Sequence, residues 1–292
     1  MHETATPATL HTPNGPIEYA QAGAGPPLLS IHGAGGGYDQ GLDNAAAMVG
    51  AGYRIIAPSR FGYLGTPLPP RTSIAAQADA HADLLSQLQV PRAVVLGVSA
   101  GARSALELAL RHPQKVAGLI LVVPGTWSPS QPVGLPPSRG NRFVFWLVNH
   151  GADLVWALAE KLAPAMLIRF VGVRPELVAA APPAERAAVM RLIHGIQPLS
   201  RRIAGVNLDS TPNLGELPLE EITAPTLVIA ARDDLFNTLP AARHAACRIP
   251  GARLVVYETG GHLLVGHAQE VHAEVRTFLA ELGGERLEPA AA

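Results

Sequence analysis

The sequence predicts an α/β fold in which a mostly parallel central sheet is flanked by helices and interrupted by one inserted helical cap. Three observations predict it. Short, almost wholly apolar runs alternate with helical patterns, as strands covered on both faces require. The alternation stops after Pro124 and resumes only at Thr226, with helical patterns alone between them. The 292 residues are 48% hydrophobic, enough to bury a large core and too apolar for a disordered chain.

Taken in order, residues 26–31 (PPLLSI) form the first apolar run and end at His32-Gly33-Ala34-Gly35-Gly36-Gly37. Residues 53–57 (YRIIA) form a second, stopped by Pro58. Ser73 is placed to cap a helix over 74–89, where Ile74, Ala78, Leu84, Leu85 and Leu88 share a stripe. A third strand over 93–96 leads into a helix over about 100–111, which Pro113 ends. The run 116–123 is the fourth strand. After the block come a strand at 225–230, a helix over 241–248, a strand at 253–257 and a last helix over 264–282. The resulting division is a first core part over 1–124, the cap over 125–216, a second core part over 217–282 and a flexible tail over 283–292.

Composition narrows the partners. The net charge is −1 and only 15% of residues are charged, so no footprint for nucleic acid is visible. The single cysteine, Cys247, excludes an internal disulfide, and as a lone thiol in a helix it reads as buried packing. The opening MHETATPATLHTPNG has neither a basic start nor an apolar run, so it is not a signal peptide. Asn149, His150, Asp153, Glu160 and Lys161 break up the apolar stretch 143–167, so it reads as helix of a soluble protein without stable membrane insertion. A cytoplasmic location is the expectation.

The chemistry starts at Gly97-Val98-Ser99-Ala100-Gly101, where a strand runs directly into a helix. A serine between two glycines at such a corner is the arrangement of a nucleophile elbow, with the hydroxyl raised above the sheet at the positive end of the helix. Serine needs a base. Of eleven histidines, His262 lies in a Gly-rich loop after a strand and before the last helix, at the same sheet edge as Ser99. His81, His112, His244, His267 and His272 fall in helical patterns, and the 262, 267, 272 spacing makes no metal site. Asp233 and Asp234 directly follow a strand end and supply the carboxylate that orients the imidazole. Asp234 is assigned that role, and Asp233 reads as a turn residue. The run 33–37 fails the dinucleotide pattern because Tyr38 stands where its third glycine belongs.

The order Ser99, Asp234, His262, together with the elbow and His32-Gly33-Ala34, resembles the α/β-hydrolase fold family in its capped serine branch of esterases and lactonases. The resemblance runs over about residues 15–282. It implies that the second of two such aspartates serves, and the 28 residues from Asp234 to His262 suit that register. It also implies an oxyanion hole from the backbone N–H groups of Ala34 and Ala100, with His32 ordering the loop from beneath. A serine nucleophile excludes the branches that use aspartate. Val98 stands where carbon–carbon bond hydrolases usually carry Asn.

Arg201 and Arg202 could meet a substrate carboxylate, but solvated helix charges are the ordinary reading. Trp127, Phe143, Trp146 and Leu263 are candidates for the pocket wall, while Phe145, Trp156, Met166 and Phe170 fill or line the same space. The expected function is hydrolysis of a hydrophobic ester or lactone without metal or organic cofactor. The alternatives are a carbon–carbon bond hydrolase, an acyltransferase and a non-catalytic ligand sensor.

Overall fold

The computed structural model describes residues 5–130, 152–210 and 215–286. Eight strands make one sheet: β1 (Ala8–Thr12), β2 (Gly15–Ala22), β3 (Pro27–Ile31), β4 (Arg54–Pro58), β5 (Ala93–Val98), β6 (Val116–Val122), β7 (Thr226–Ala231) and β8 (Arg253–Tyr257), in the spatial order β1-β2-β4-β3-β5-β6-β7-β8. β1 and β2 pair antiparallel, and β2 pairs antiparallel with β4. Every other pairing is parallel.

The parallel strands read as unbroken apolar runs because both faces are covered, and the period of two still sorts them. Leu29 and Ile31 of β3, Val95 of β5 and Leu119 and Leu121 of β6 pack toward α2 (Ile74–Gln87), α3 (Gly101–Arg111) and α9 (Leu239–Arg248). Their neighbours Leu28, Val94, Leu96, Ile120 and Val122 face α1 (Tyr38–Met48) and α10 (Ala268–Arg286). Ser73 caps α2 by accepting a hydrogen bond from the N–H of Ala76 at 3.1 Å.

Between β6 and β7 the chain builds a separate helical layer: α4 (Ala152–Leu162), α5 (Pro164–Phe170), α6 (Pro175–Ala180), α7 (Pro183–Gly195) and α8 (Ile203–Asp209). Pro164, Pro175 and Pro183 open three of these helices, where a missing N–H costs nothing. The layer has its own core of Trp156, Ile168, Val173 and Ile193, joined by Val265 from the second half of the sheet domain. It rests on the loops at the carboxyl ends of β3 and β4. Leu64 N–H donates to Arg201 O at 2.8 Å, Gly205 N–H to Gly62 O at 2.9 Å, and Gly35 lies under Ile196.

Several expectations need correction. The sequence reading missed β1 and β2, a hairpin whose outer strand is largely exposed and therefore carries no apolar run. The last helix starts at Ala268, not 264, because residues 261–263 form a short 3₁₀ turn and Leu264 is left-handed at φ 54°. It then continues to Arg286, beyond the 282 limit. The 74–89 helix ends at Gln87, since Gln89 turns left-handed at φ 55°. Cys247 is exposed rather than buried, on the outer side of α9. Among the described residues no helix is long and apolar enough to cross a membrane.

Candidate active site

Ser99 sits in the two-residue corner between β5 and α3 with φ 53°, a left-handed conformation that a non-glycine side chain adopts only under constraint. The constraint is visible. Its N–H donates to Val122 O at 2.9 Å, and its carbonyl accepts from Ala102 and Gly125 N–H at 3.1 and 2.9 Å. Both flanking glycines are sterically required. A Cβ on Gly97 would come within 2.7 Å of the Ala105 Cβ, and one on Gly101 within 2.5 Å of the carbonyl oxygens of Ile31 and His32.

The loop after β8 carries His262 to this corner, with its Nε2 2.8 Å from Ser99 Oγ. On the other side of the ring, Nδ1 lies 2.8 Å from Asp234 Oδ2. An ionised carboxylate only accepts, so the ring carries its proton on Nδ1 and offers Nε2 as the acceptor for the serine hydroxyl. Asp234 is buried and is held further by Phe236 N–H at 2.8 Å on Oδ1 and by the Thr238 hydroxyl on Oδ2. Burial pushes its pKa upward. The charge and hydrogen bond of His262, with the hydrogen bonds from Thr238 and the Phe236 main chain, outweigh that and hold it below the ordinary carboxylate value. The Phe236 ring stands edge-on to the imidazole, with centroids 4.6 Å apart.

The neighbouring carboxylate does different work. Asp233 Oδ1 accepts from Gly261 N–H at 2.8 Å, which anchors the turn that presents His262, while its Oδ2 pairs with Arg174 at 2.8 Å. The helical layer contributes a further anchor in Gly172. Its carbonyl accepts the N–H groups of both Leu235 and His262, at 3.2 and 3.1 Å, so one oxygen ties the Asp234 loop to the His262 loop.

Beside Ser99, the loop after β3 passes so close that a Cβ on Gly33 would lie 3.1 Å from the Ser99 Cβ. Among the described residues, no hydrogen bond uses the N–H of Ala34 or of Ala100. Gly125 lies against the Ala100 nitrogen, where its missing side chain keeps the space open. His32 is fully buried, with Nδ1 2.7 Å from Gly33 O and Nε2 accepting from Arg60 N–H at 2.9 Å. Burial, then the charge of Arg60, depresses its pKa well below the usual imidazole value, so it is neutral and fixed in place. No cluster of three or more His, Cys, Asp or Glu suited to a metal ion occurs among the described residues.

Comparison with known proteins bears on what this geometry belongs to. The model of a family described as the alpha/beta hydrolase fold matches residues 26–266. The chain belongs to the α/β-hydrolase fold family. Among its curated relatives is a 2-hydroxymuconate semialdehyde hydrolase of Pseudomonas putida, 30% identical over 272 residues, covering 89% of each chain. Another is a 2-hydroxy-6-oxo-6-phenylhexa-2,4-dienoate hydrolase of Comamonas testosteroni, 28% identical over 254 residues and covering 84% of each. A solved α/β-hydrolase fold protein from Nakamurella multipartita is similar over 96% of this chain and 100% of its own, at 28% identity and a TM-score of 0.76.

In this α/β-hydrolase the remaining expected residues fall as follows. Leu263, next to His262, is half-buried against the core of the helical layer. Trp127 stands edge-on to His244 and lines a cavity of about 470 Å³ along the N-terminal ends of α2 and α3, which reaches Ala100. Phe143, Phe145 and Trp146 lie outside the described residues. Trp156 is core, its indole N–H donating to Ile193 O at 3.1 Å, and Phe170 packs edge-on against it. Arg202 is not a solvated charge. It is only 2% exposed and grips Asp39 at 2.6 Å and Gly36 O at 2.5 Å. Gly125, Gly172 and the pair Arg60–Asp209 escaped the sequence reading because each matters only through partners distant in the chain, and Thr238 because no motif marks its contact with Asp234 four residues away.

Proposed function

We propose that this α/β-hydrolase cleaves a carboxylic ester or lactone of an uncharged, hydrophobic small molecule through a covalent acyl-serine. The observation that carries the reading is the unbroken relay from Ser99 Oγ through His262 to Asp234, with 2.8 Å on each side of the imidazole. At that distance the hydroxyl passes its proton to Nε2 as it attacks the substrate carbonyl. Asp234, already ionised, stabilises the imidazolium that forms. The Ala34 and Ala100 N–H groups receive the oxyanion. His262 then protonates the departing alkoxide, and a water molecule repeats the sequence on the acyl-enzyme, returning the proton to Ser99. Nucleophile, base and oxyanion donors all come from the chain, so the reaction draws on no metal or organic cofactor.

An uncharged substrate is supported by the engagement of Arg202 with Asp39, which takes that guanidinium away from a substrate carboxylate. A second reading, hydrolysis of a carbon–carbon bond in a vinylogous diketone, is favoured by the names of the Pseudomonas and Comamonas relatives. It would use the same relay.

The test is turnover of p-nitrophenyl esters of graded acyl length by the wild type and Ser99→Ala. Ester hydrolysis that falls by about 10³-fold or more in Ser99→Ala supports the proposal. Turnover of vinylogous diketones with none of any ester moves the assignment to the second reading. Absence of both, with Ser99 unlabelled by a fluorophosphonate, overturns the enzyme reading altogether.

A further inference from the structure

The N–H of Ala34 belongs to the same peptide plane as the carbonyl of Gly33, and in a trans peptide the two point in opposite directions. Whatever holds the Gly33 oxygen therefore aims the Ala34 N–H. That oxygen is held from three sides: by His32 Nδ1 at 2.7 Å, by Gly36 N–H at 3.3 Å and by Arg60 Nη2 at 3.1 Å. Arg60 also donates from Nε to His32 O at 3.0 Å, so one guanidinium bonds two successive carbonyls of this loop.

The far edge of that guanidinium is gripped by a residue from the helical layer. Asp209, the last residue of α8, takes two hydrogen bonds from Arg60, Nη1 to Oδ1 at 2.8 Å and Nη2 to Oδ2 at 2.6 Å. Its Oδ2 also accepts the Tyr63 hydroxyl at 2.5 Å, and its main-chain carbonyl accepts Arg103 Nη1 at 2.9 Å. Arg103 Nε in turn donates to Gly125 O at 2.8 Å, beside the Ala100 nitrogen. The side chains of Arg60 and Asp209 are 7% and 9% exposed, so water competes little for these bonds.

We infer that Asp209 is a positioning residue for the oxyanion hole, acting through Arg60 to fix the peptide plane that presents the Ala34 N–H. The helical layer thereby contributes to the chemistry without touching the substrate. Without Asp209, Arg60 keeps only the Tyr63 ring, 4.9 Å from its guanidinium, against rotation away from the two loop carbonyls, and the Gly33 oxygen loses one of its three holds, which loosens the aim of the donor. The inference rests on the acyl-serine reading for the role of Ala34, and the test separates the two.

The experiment measures the second-order rate of Ser99 labelling by a fluorophosphonate, kcat and KM for a p-nitrophenyl ester, and inhibition by a trifluoromethyl ketone that forms a tetrahedral adduct. The variants are Asp209→Asn, Tyr63→Phe and, as a control, Asp79→Asn. Asp79 holds Arg111 by a two-bond pair of the same kind on the exposed flank of α2 and α3.

Asp209→Asn is expected to lower labelling, kcat and affinity for the ketone together, on the order of 10- to 100-fold, with KM within about two-fold. Tyr63→Phe is expected to give a smaller loss in the same three quantities, and Asp79→Asn none. Because Asp209→Asn leaves a buried cation unpaired, folding is checked by near-UV circular dichroism. Should that variant not fold, Tyr63→Phe decides. The inference is overturned if a folded variant keeps wild-type labelling and kcat, if kcat falls while ketone affinity does not, or if Asp79→Asn falls equally. Absence of ester turnover in the wild type would sink the ester reading alone, because the labelling rate still reports on the oxyanion hole.

Discussion

His81 shows how one buried side chain ties the stability of this hydrolase to pH. It lies on α2 with no exposed surface, its Nε2 3.4 Å from Ser104 Oγ and its Nδ1 without a partner. Burial, then the charge of Arg60, pushes its pKa down to about 3. Unfolded, the same imidazole takes up a proton near pH 6.5. Between those values the unfolded chain holds a proton that the folded chain does not, so folded stability is full above about pH 6.5 and falls as the pH drops. The expected contribution is a slope of about 1.4 kcal/mol per pH unit over that window. Urea unfolding at pH 7 and pH 5 should show a shallower dependence in His81→Leu than in the wild type. An unchanged slope would remove His81 from this role.

At the same scale, legibility was uneven. Ser99 was readable because strand, glycine, serine, glycine and helix are contiguous, and the strain at φ 53° is a local consequence of that succession. Cys247 was misread because a helix position does not say which way it faces, and the outer side of α9 faces solvent. Arg202 was misread for the opposite reason. Asp39 and Gly36, its partners, lie more than 160 residues earlier.

Among the elements, the elbow is the most demanding junction. β5 approaches α3 so closely at Gly97, and α3 the end of β3 at Gly101, that any side chain there meets main chain or a neighbouring methyl. Gly101→Ala is expected to destabilise the fold by about 1–3 kcal/mol, as overpacking does, and to remove ester turnover by displacing Ser99. Equilibrium unfolding together with an esterase assay checks it, and a variant within about 0.5 kcal/mol of wild type would contradict the clash. The parallel strands were legible as apolar runs because burial on both faces demands nothing but apolar side chains. β1 escaped because an edge strand with exposed residues has no such composition.

For the molecule as a whole, the helical layer holds the loops of Asp234 and His262 in place. Gly172 carries the most concentrated example, since its carbonyl binds the loops of both Asp234 and His262 while its φ of 82° and its surroundings admit no side chain. A Cβ there would sit 2.6 Å from the His262 Cβ. Gly172→Ala is expected to lower kcat/KM for p-nitrophenyl esters by about 10- to 100-fold while the far-UV circular dichroism of the sheet domain is unchanged. Wild-type kinetics in that variant would show that the layer and the base loop are independent.

The sequence by itself determined the α/β class and the glycine-flanked corner at Ser99, because each is written in contiguous residues whose backbone geometry and burial are local matters. Tertiary structure alone decided the anchoring of the Gly261 turn by Asp233, the burial of Arg202 and the reach of Asp209 to Arg60. Those depend on which oxygen meets which donor across 28, 163 and 149 residues of chain. Hydrogen bonds at such separations are set by how packed layers bring loops together, and no pattern of neighbouring residues encodes that.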